Sequence, residues 1–224
     1  MFFLFSLFSF VQAEPNHEIN VHYRNASLPN GWLDPFFSNG AEERPQVKTQ
    51  GFGLEWAQNK DKTSWILYYE LIQNKTKSGY WDDKEDPLDR TDGVWIKPID
   101  VQLHTIGFQS LYNIDIPIPE QRVDLDALFG GGLGIGLLTG SIERWHNGAN
   151  EFAQNNSNCI PIGDAIVREA ICGDNPDADG LPIPVLPVFD ISAGVRVRYD
   201  KFNARFLFGL HNLPYVGFSL GYAL

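Results

Sequence analysis

The most ligand-like string in the chain is Asn175-Pro-Asp177-Ala-Asp179-Gly180, which sets oxygen-bearing side chains at alternate residues ahead of a turn glycine. Ca2+ is held by hard oxygen ligands, and EF-hand loops offer them in this alternating pattern. The twelfth position counted from Asn175 is Leu186 rather than Glu, so an EF-hand is excluded. What is left is an open loop in which Asn175, Asp177 and Asp179, assisted by Asp174, would recruit Ca2+; a metal-free turn selects the same Asp and Gly residues. For covalent chemistry, a lipid hydrolase or acyltransferase needs a His beside a Ser or an acid. His104 with Ser110 and His211 with Ser219 are the available pairs, and neither sits in a nucleophile motif, so no catalytic residue is assigned and no enzyme is expected. The glycine run near residue 130 lacks the Lys and the following helix of a phosphate-binding loop.

These residues sit in a chain rich in strand formers, with 16 Phe, 8 Tyr, 6 Trp and 21 Gly against one Met. Residues 1–13, MFFLFSLFSFVQA, are uncharged and end in the small residues Val11 and Ala13, which reads as an export signal cleaved after Ala13. Residues 14–224 are then a single exported domain. Cys159 and Cys172, both in one Pro- and Gly-rich stretch, are expected to form a disulfide that staples a loop in an oxidising compartment. The formal net charge of −11 excludes nucleic acid as a partner. No later segment is a long apolar run, so any membrane residence must use strands.

A period of two recurs in segments about ten residues long, the length of a tilted transmembrane strand. Phe52, Leu54 and Trp56 alternate with Gly51, Gly53 and Glu55, and across a short turn Trp65, Leu67, Tyr69 and Leu71 oppose Tyr68 and Glu70. Between Val94 and Tyr112, Ile99, Val101 and Leu103 oppose Asp100, Gln102 and His104, with pairing expected to start after Pro98. From Leu128 to Gly140, Phe129, Leu133, Ile135 and Leu137 share one parity and four glycines the other. Near the C-terminus Phe189 to Tyr199 oppose Asp190, Arg196 and Arg198; Phe206 and Phe208 oppose Arg205; and Phe218 and Leu220 end the pattern.

With a first strand at Ile19 to Tyr23 the count is eight, an even number that closes an antiparallel sheet without an edge. The fold expected is an all-β, up-and-down transmembrane barrel with long outer loops at 24–47, 74–93 and 141–186. Short inner turns fall at 58–62 and 200–202. The connections 113–126 and 211–214 fit this asymmetry poorly, being respectively long for an inner turn and short for an outer loop. Glu55, Glu70, His104, Asp190, Arg196, Arg198 and Arg205 have the inward parity and are expected to form a network of paired charges in the barrel.

Three segments also recur together: GYW at Gly79 to Trp81, LFGGGLGIGLLTGSIER from Leu128 to Arg144, and the ending from Pro184 to Leu224. In these the chain resembles uncharacterised outer-membrane β-barrel proteins of myxobacteria and related deltaproteobacteria, over most of residues 50–224. The resemblance implies a Gly-rich strand, a Cys-containing loop and a closing hairpin, and assigns no functional residue. Outer-membrane lipid, lipopolysaccharide and the barrel-assembly machinery are the expected partners, with an undefined extracellular ligand. The expected role is structural, adhesive or binding, carried by the loops. The rival readings are a narrow small-solute channel, a lipid-modifying enzyme, and a soluble lipocalin-like cup with its apolar residues pointing inward.

Overall fold

The computed structural model describes residues 16–33, 46–81, 94–118, 123–146, 160–162, 169–171, 177–180 and 185–224. Eight long strands are β1 (Asn16–Leu28), β2 (Val47–Lys60), β3 (Thr63–Asn74), β4 (Val94–Ile116), β5 (Val123–His146), β6 (Val185–Tyr199), β7 (Phe202–His211) and β8 (Leu213–Ala223). Each pairs antiparallel with its sequence neighbours, and β1 pairs with β8 from Glu18↔Ala223 to Ala26↔Tyr215. The eight long strands therefore close into an up-and-down barrel. Asp61, Asp200 and Asn212 hold the tight turns at φ 51°, 51° and 56°. Asp and Asn tolerate this left-handed backbone better than most residues, because their side chains bond locally.

Side-chain direction identifies the solvent on each face. Phe206, Phe208 and Phe218 are each 51% exposed and Leu220 is 53% exposed, all on the outer wall, whereas Glu55, Glu70 and Asp190 are at most 3% exposed inside it. An apolar exterior around a polar interior is the pattern of a membrane-spanning barrel and the inverse of a soluble cup. The lipocalin-like alternative is thereby overturned.

The eight strands expected from the sequence are present, but several are longer than the alternation indicated. β1 runs to Leu28 rather than Tyr23, which removes Arg24 from the loop assigned at 24–47. The long connections are instead 29–46, 75–93 and 147–184, and the first opens with one helical turn, Asn30–Leu33. Of the two connections that fitted poorly, the first resolves in the same way, since pairing continues to Ile116↔Leu125 and leaves a connection of only 117–122. The second stays an exception, because His211↔Leu213 closes β7–β8 through Asn212 alone at the long-loop end. Asn212 secures that turn by donating to Pro187 O and accepting from Phe189 N, both at 2.9 Å.

The β4–β5 hairpin is much taller than the rest of the wall. Its outward apolar residues end near Leu137, opposite His104, and about ten further residues carry it roughly 30 Å beyond, at ~3.4 Å per residue. There Gly79–Trp81 pairs with Val94–Ile96, and Asp177–Gly180 pairs with Ser141–Arg144, making a raised four-stranded sheet. A further short pair joins Ile160–Ile162 to Glu169–Ile171. The expectation that pairing begins after Pro98 is corrected, since Pro98 sits within the hairpin opposite Ile142. Just above the apolar band lies a β-bulge. Asp100 (φ 46°) and Val101 together oppose Gly140 (φ 101°) between the pairs Ile99↔Ser141 and Gln102↔Thr139. An extra residue shifts the alternation by one, so every side chain below changes face relative to those above.

Candidate functional site

The lumen is packed because its walls are partly bare. Inward glycines leave room for side chains to lie across the neighbouring strand. A Cβ on Gly136 would sit 2.6 Å from Leu103 Cδ1, and one on Gly217 would sit 3.1 Å from Arg24 Cγ. Gly132 is tighter still, since its Cβ would press on the Phe108 carbonyl oxygen and sit 2.9 Å from the Gln109 Cα. The glycine run of β5 is thus explained by close approach of backbone and side chains, not by ligand binding.

Into this space projects a continuous charged network. Arg205 donates directly to Glu55. Glu55 Oε1 lies 3.1 Å from His22 Nδ1, and His22 Nε2 lies 3.4 Å from Glu70 Oε1. Arg24 Nη1 then bridges Glu70 Oε2 at 3.2 Å and Asp190 Oδ2 at 3.3 Å, with its guanidinium between the Tyr68 and Tyr215 rings at 5.2 and 5.1 Å. His211 spans the same two carboxylates, at 3.2 Å from Glu70 and 2.9 Å from Asp190. Gln109 Nε2 donates to Asp190 Oδ1 at 2.8 Å and to Ser192 Oγ at 2.6 Å. Buried charges of this kind persist only where each finds a partner.

Nearer the short-turn end is a second polar layer. Arg196 Nε donates to Asp126 Oδ2 at 2.9 Å, and its Nη1 donates to Asn59 Oδ1 at 3.0 Å and to Ser64 Oγ at 3.2 Å. Arg198 Nη2 reaches the same Asp126 at 3.3 Å. Ala57, Ile66, Leu111, Leu128 and Leu207 form a buried apolar cluster that separates the two layers on β2 to β5, whereas on β6–β7 the layers meet at the cross-strand pair Arg196↔Arg205. The alternation requires this order: Ala57 separates Glu55 from Asn59, and Leu111 separates Gln109 from Asn113. A cavity of about 10 Å³ beside His22, Arg24 and Glu55 is near the minimum that one water needs.

The lumen opens at the long-loop end into a cavity of about 220 Å³. Ile72, Leu103, Leu138, Leu186 and Leu213 contribute to its walls, and His211 connects it to the charged network.

Of the residues expected inside, Glu55, Glu70, Asp190, Arg196, Arg198 and Arg205 are there. His104 is not. It lies on the outer face, where its Nδ1 is 2.9 Å from the Tyr69 hydroxyl. The bulge at Asp100–Val101 is the reason, because it flips the parity read from Ile99 and Val101. The switch was visible further along, where Ile106 and Phe108 take the even, outward positions. The sequence reading also missed Arg24, His22, Asp126, His211, Tyr68 and Tyr215 as network members. Glu18, Asn20, His22 and Arg24, four polar residues alternating with Ile19, Val21 and Tyr23, were the signal for the first strand.

Neither His–Ser pair comes together. Ser110 is six residues from His104 along one strand, and Ser219 is six residues down β8 from Leu213, the partner of His211; each separation is roughly 20 Å at ~3.4 Å per residue. Ser192 bonds Asp190 and the Tyr215 hydroxyl instead of a histidine. Cys159, Cys172 and Asn175 lie outside the described residues, as does the segment 1–13. Asp177 and Asp179 fall in the short strand paired with Ser141–Arg144. Among the described residues no group of three or more His, Cys, Asp or Glu is arranged to hold a metal ion.

No protein-family model and no curated protein matches the chain. Among solved structures, the chain is similar to the crystal structure of Ail, the attachment invasion locus protein of Yersinia pestis, in complex with the heparin analogue sucrose octasulfate. The identity is 11% and the TM-score 0.33, over 94% of this chain and 99% of that one.

Proposed function

We propose that the protein is a non-conducting anchor of the bacterial outer membrane that presents a binding surface to the exterior. The observation that carries this reading is the division of the molecule. Its apolar-walled half is plugged by two charged layers and an apolar band, while the β4–β5 hairpin extends roughly 30 Å beyond. Ile66 and Leu111, both fully buried, fill the lumen beside these charges, so a small-solute channel is disfavoured. The start of β1, the end of β8 and the connections 61–62, 117–122 and 200–201 lie at one end, opposite the turn at Asn212, and that end corresponds to the periplasm in barrels of this kind. The raised sheet, the longer connections and the 220 Å³ cavity then face outward and supply the adhesive or ligand-binding surface.

Two measurements test this. In planar bilayers the folded barrel is expected to show no discrete conductance; steady ion currents would overturn the plugged reading. In whole cells producing Lys97→Cys, with Cys159→Ser and Cys172→Ser to remove background, a membrane-impermeant maleimide is expected to label the hairpin. Labelling only after permeabilisation would reverse the orientation.

A further inference from the structure

The outer wall is not uniformly tall, and its register organises the difference into rows. One cross-strand row is aromatic: Phe206 pairs with Phe218, which pairs with Tyr23, which pairs with Phe52. Tyr23 lies 5.7 Å from the Phe218 ring and 4.9 Å from the Phe52 ring. Two residues nearer the short-turn end, the row is Val197, Ala204, Leu220 and Val21. Two residues further it becomes aromatic again, with Tyr199 opposite Phe202 and Phe202 opposite Tyr222, their rings 5.4 Å apart in the latter pair. Short side chains between two tall rows leave a trough, and the space over Val197, Ala204 and Leu220 amounts to about 520 Å³. Ala204 is its lowest point, because the outward residues on either side of it along β7 are Phe202 and Phe206.

The trough ends at a polar, cationic rim. Lys201, in the β6–β7 turn, holds its Nζ 5.5 Å over the Tyr222 ring, and Tyr222 lines the trough. Aromatic residues with a polar tip and lysines near strand ends are the groups that meet lipid headgroups.

We propose that this trough is a phospholipid site, in which one acyl chain lies over Ala204 between the aromatic rows and the headgroup phosphate is taken by Lys201. The proposal rests on the membrane orientation above, which puts the trough in the periplasmic leaflet. An apolar floor excludes water, and a single cation at the polar end complements a phosphate.

The test uses the full chain folded in mixed micelles containing dioleoyl phosphatidylethanolamine, followed by native mass spectrometry. The wild type is expected to retain one lipid per barrel. Ala204→Phe, which fills the trough, is expected to lower retention at least tenfold. Lys201→Gln, in an exposed turn that does not threaten folding, is expected to lower it about fivefold, the equivalent of ~1 kcal/mol for an interfacial lysine. Ala193→Phe, on the outer wall away from the trough, is expected to change nothing. Equal retention in all four proteins overturns the site, and so does release of the wild type as a lipid-free dimer. Vesicle insertion separates the two readings: a wild type that inserts but shows no selective retention removes the lipid site alone. One that fails to insert removes the anchor reading as well.

Discussion

Removing Glu55 asks whether the charged network is dry. Glu55 and Arg205 are each 3% exposed and bond directly to one another. Among the described residues no second carboxylate lies within 4.0 Å of Arg205. Glu55→Ala therefore leaves a buried guanidinium without a counter-ion, a change that costs ~3–5 kcal/mol where water cannot reach the charge. His22 loses one carboxylate in the same variant but keeps Glu70 at 3.4 Å. At ~1.4 kcal/mol per decade, the ratio of folded to unfolded protein falls by roughly two to three and a half orders of magnitude. The double variant Glu55→Met/Arg205→Met removes both charges and refills the volume with apolar atoms, so it is expected within ~1 kcal/mol of the wild type. The excess of the single variants over the double is the signature of a desolvated pair. Urea titration of the protein in phosphatidylcholine vesicles, followed by the fluorescence of Trp56 and Trp65, gives these values, with heat-dependent gel mobility reporting the closed barrel. If Glu55→Ala costs less than ~1 kcal/mol, water reaches Arg205 and the plugged-lumen reasoning is wrong.

The same titration checks three further outcomes. His104→Leu is expected to cost under ~1 kcal/mol, since it removes one outer hydrogen bond, whereas His211→Leu is expected to cost ~2 kcal/mol or more by leaving Glu70 and Asp190 short of a partner; the reverse order would refute the bulge. Gly132→Ala is expected to destabilise by ~1–3 kcal/mol because its methyl would meet the Gln109 backbone at 2.9 Å, and a neutral result would show that the wall can widen. Gly140→Ala is expected to cost ~1–3 kcal/mol through its φ of 101°, while Asp100→Gly, at φ 46°, is expected to be tolerated; equal effects would place the strain elsewhere.

Alternation by itself determined a good deal. Phe206, Phe208 and Arg205 differ in face because successive strand residues must, and that rule assigned most of the lumen charges correctly. The even strand count and the unequal ends followed from where the alternation stopped and turn residues began. Tertiary structure decided what a local period cannot carry. Whether Arg24 ends a strand or starts a loop depends on β2 and β8 continuing beside it. His104 faces outward because two residues oppose one at Gly140, and a bulge is a property of a pair of strands. The four glycines of β5 acquire a purpose only when Leu103 and Gln109 are laid against them. The trough at Ala204 exists only once four strands are in register, since a short side chain makes a depression only beside taller ones. Periodicity is written in neighbouring residues; register, closure and the filling of the lumen are set by contacts between residues far apart in the chain.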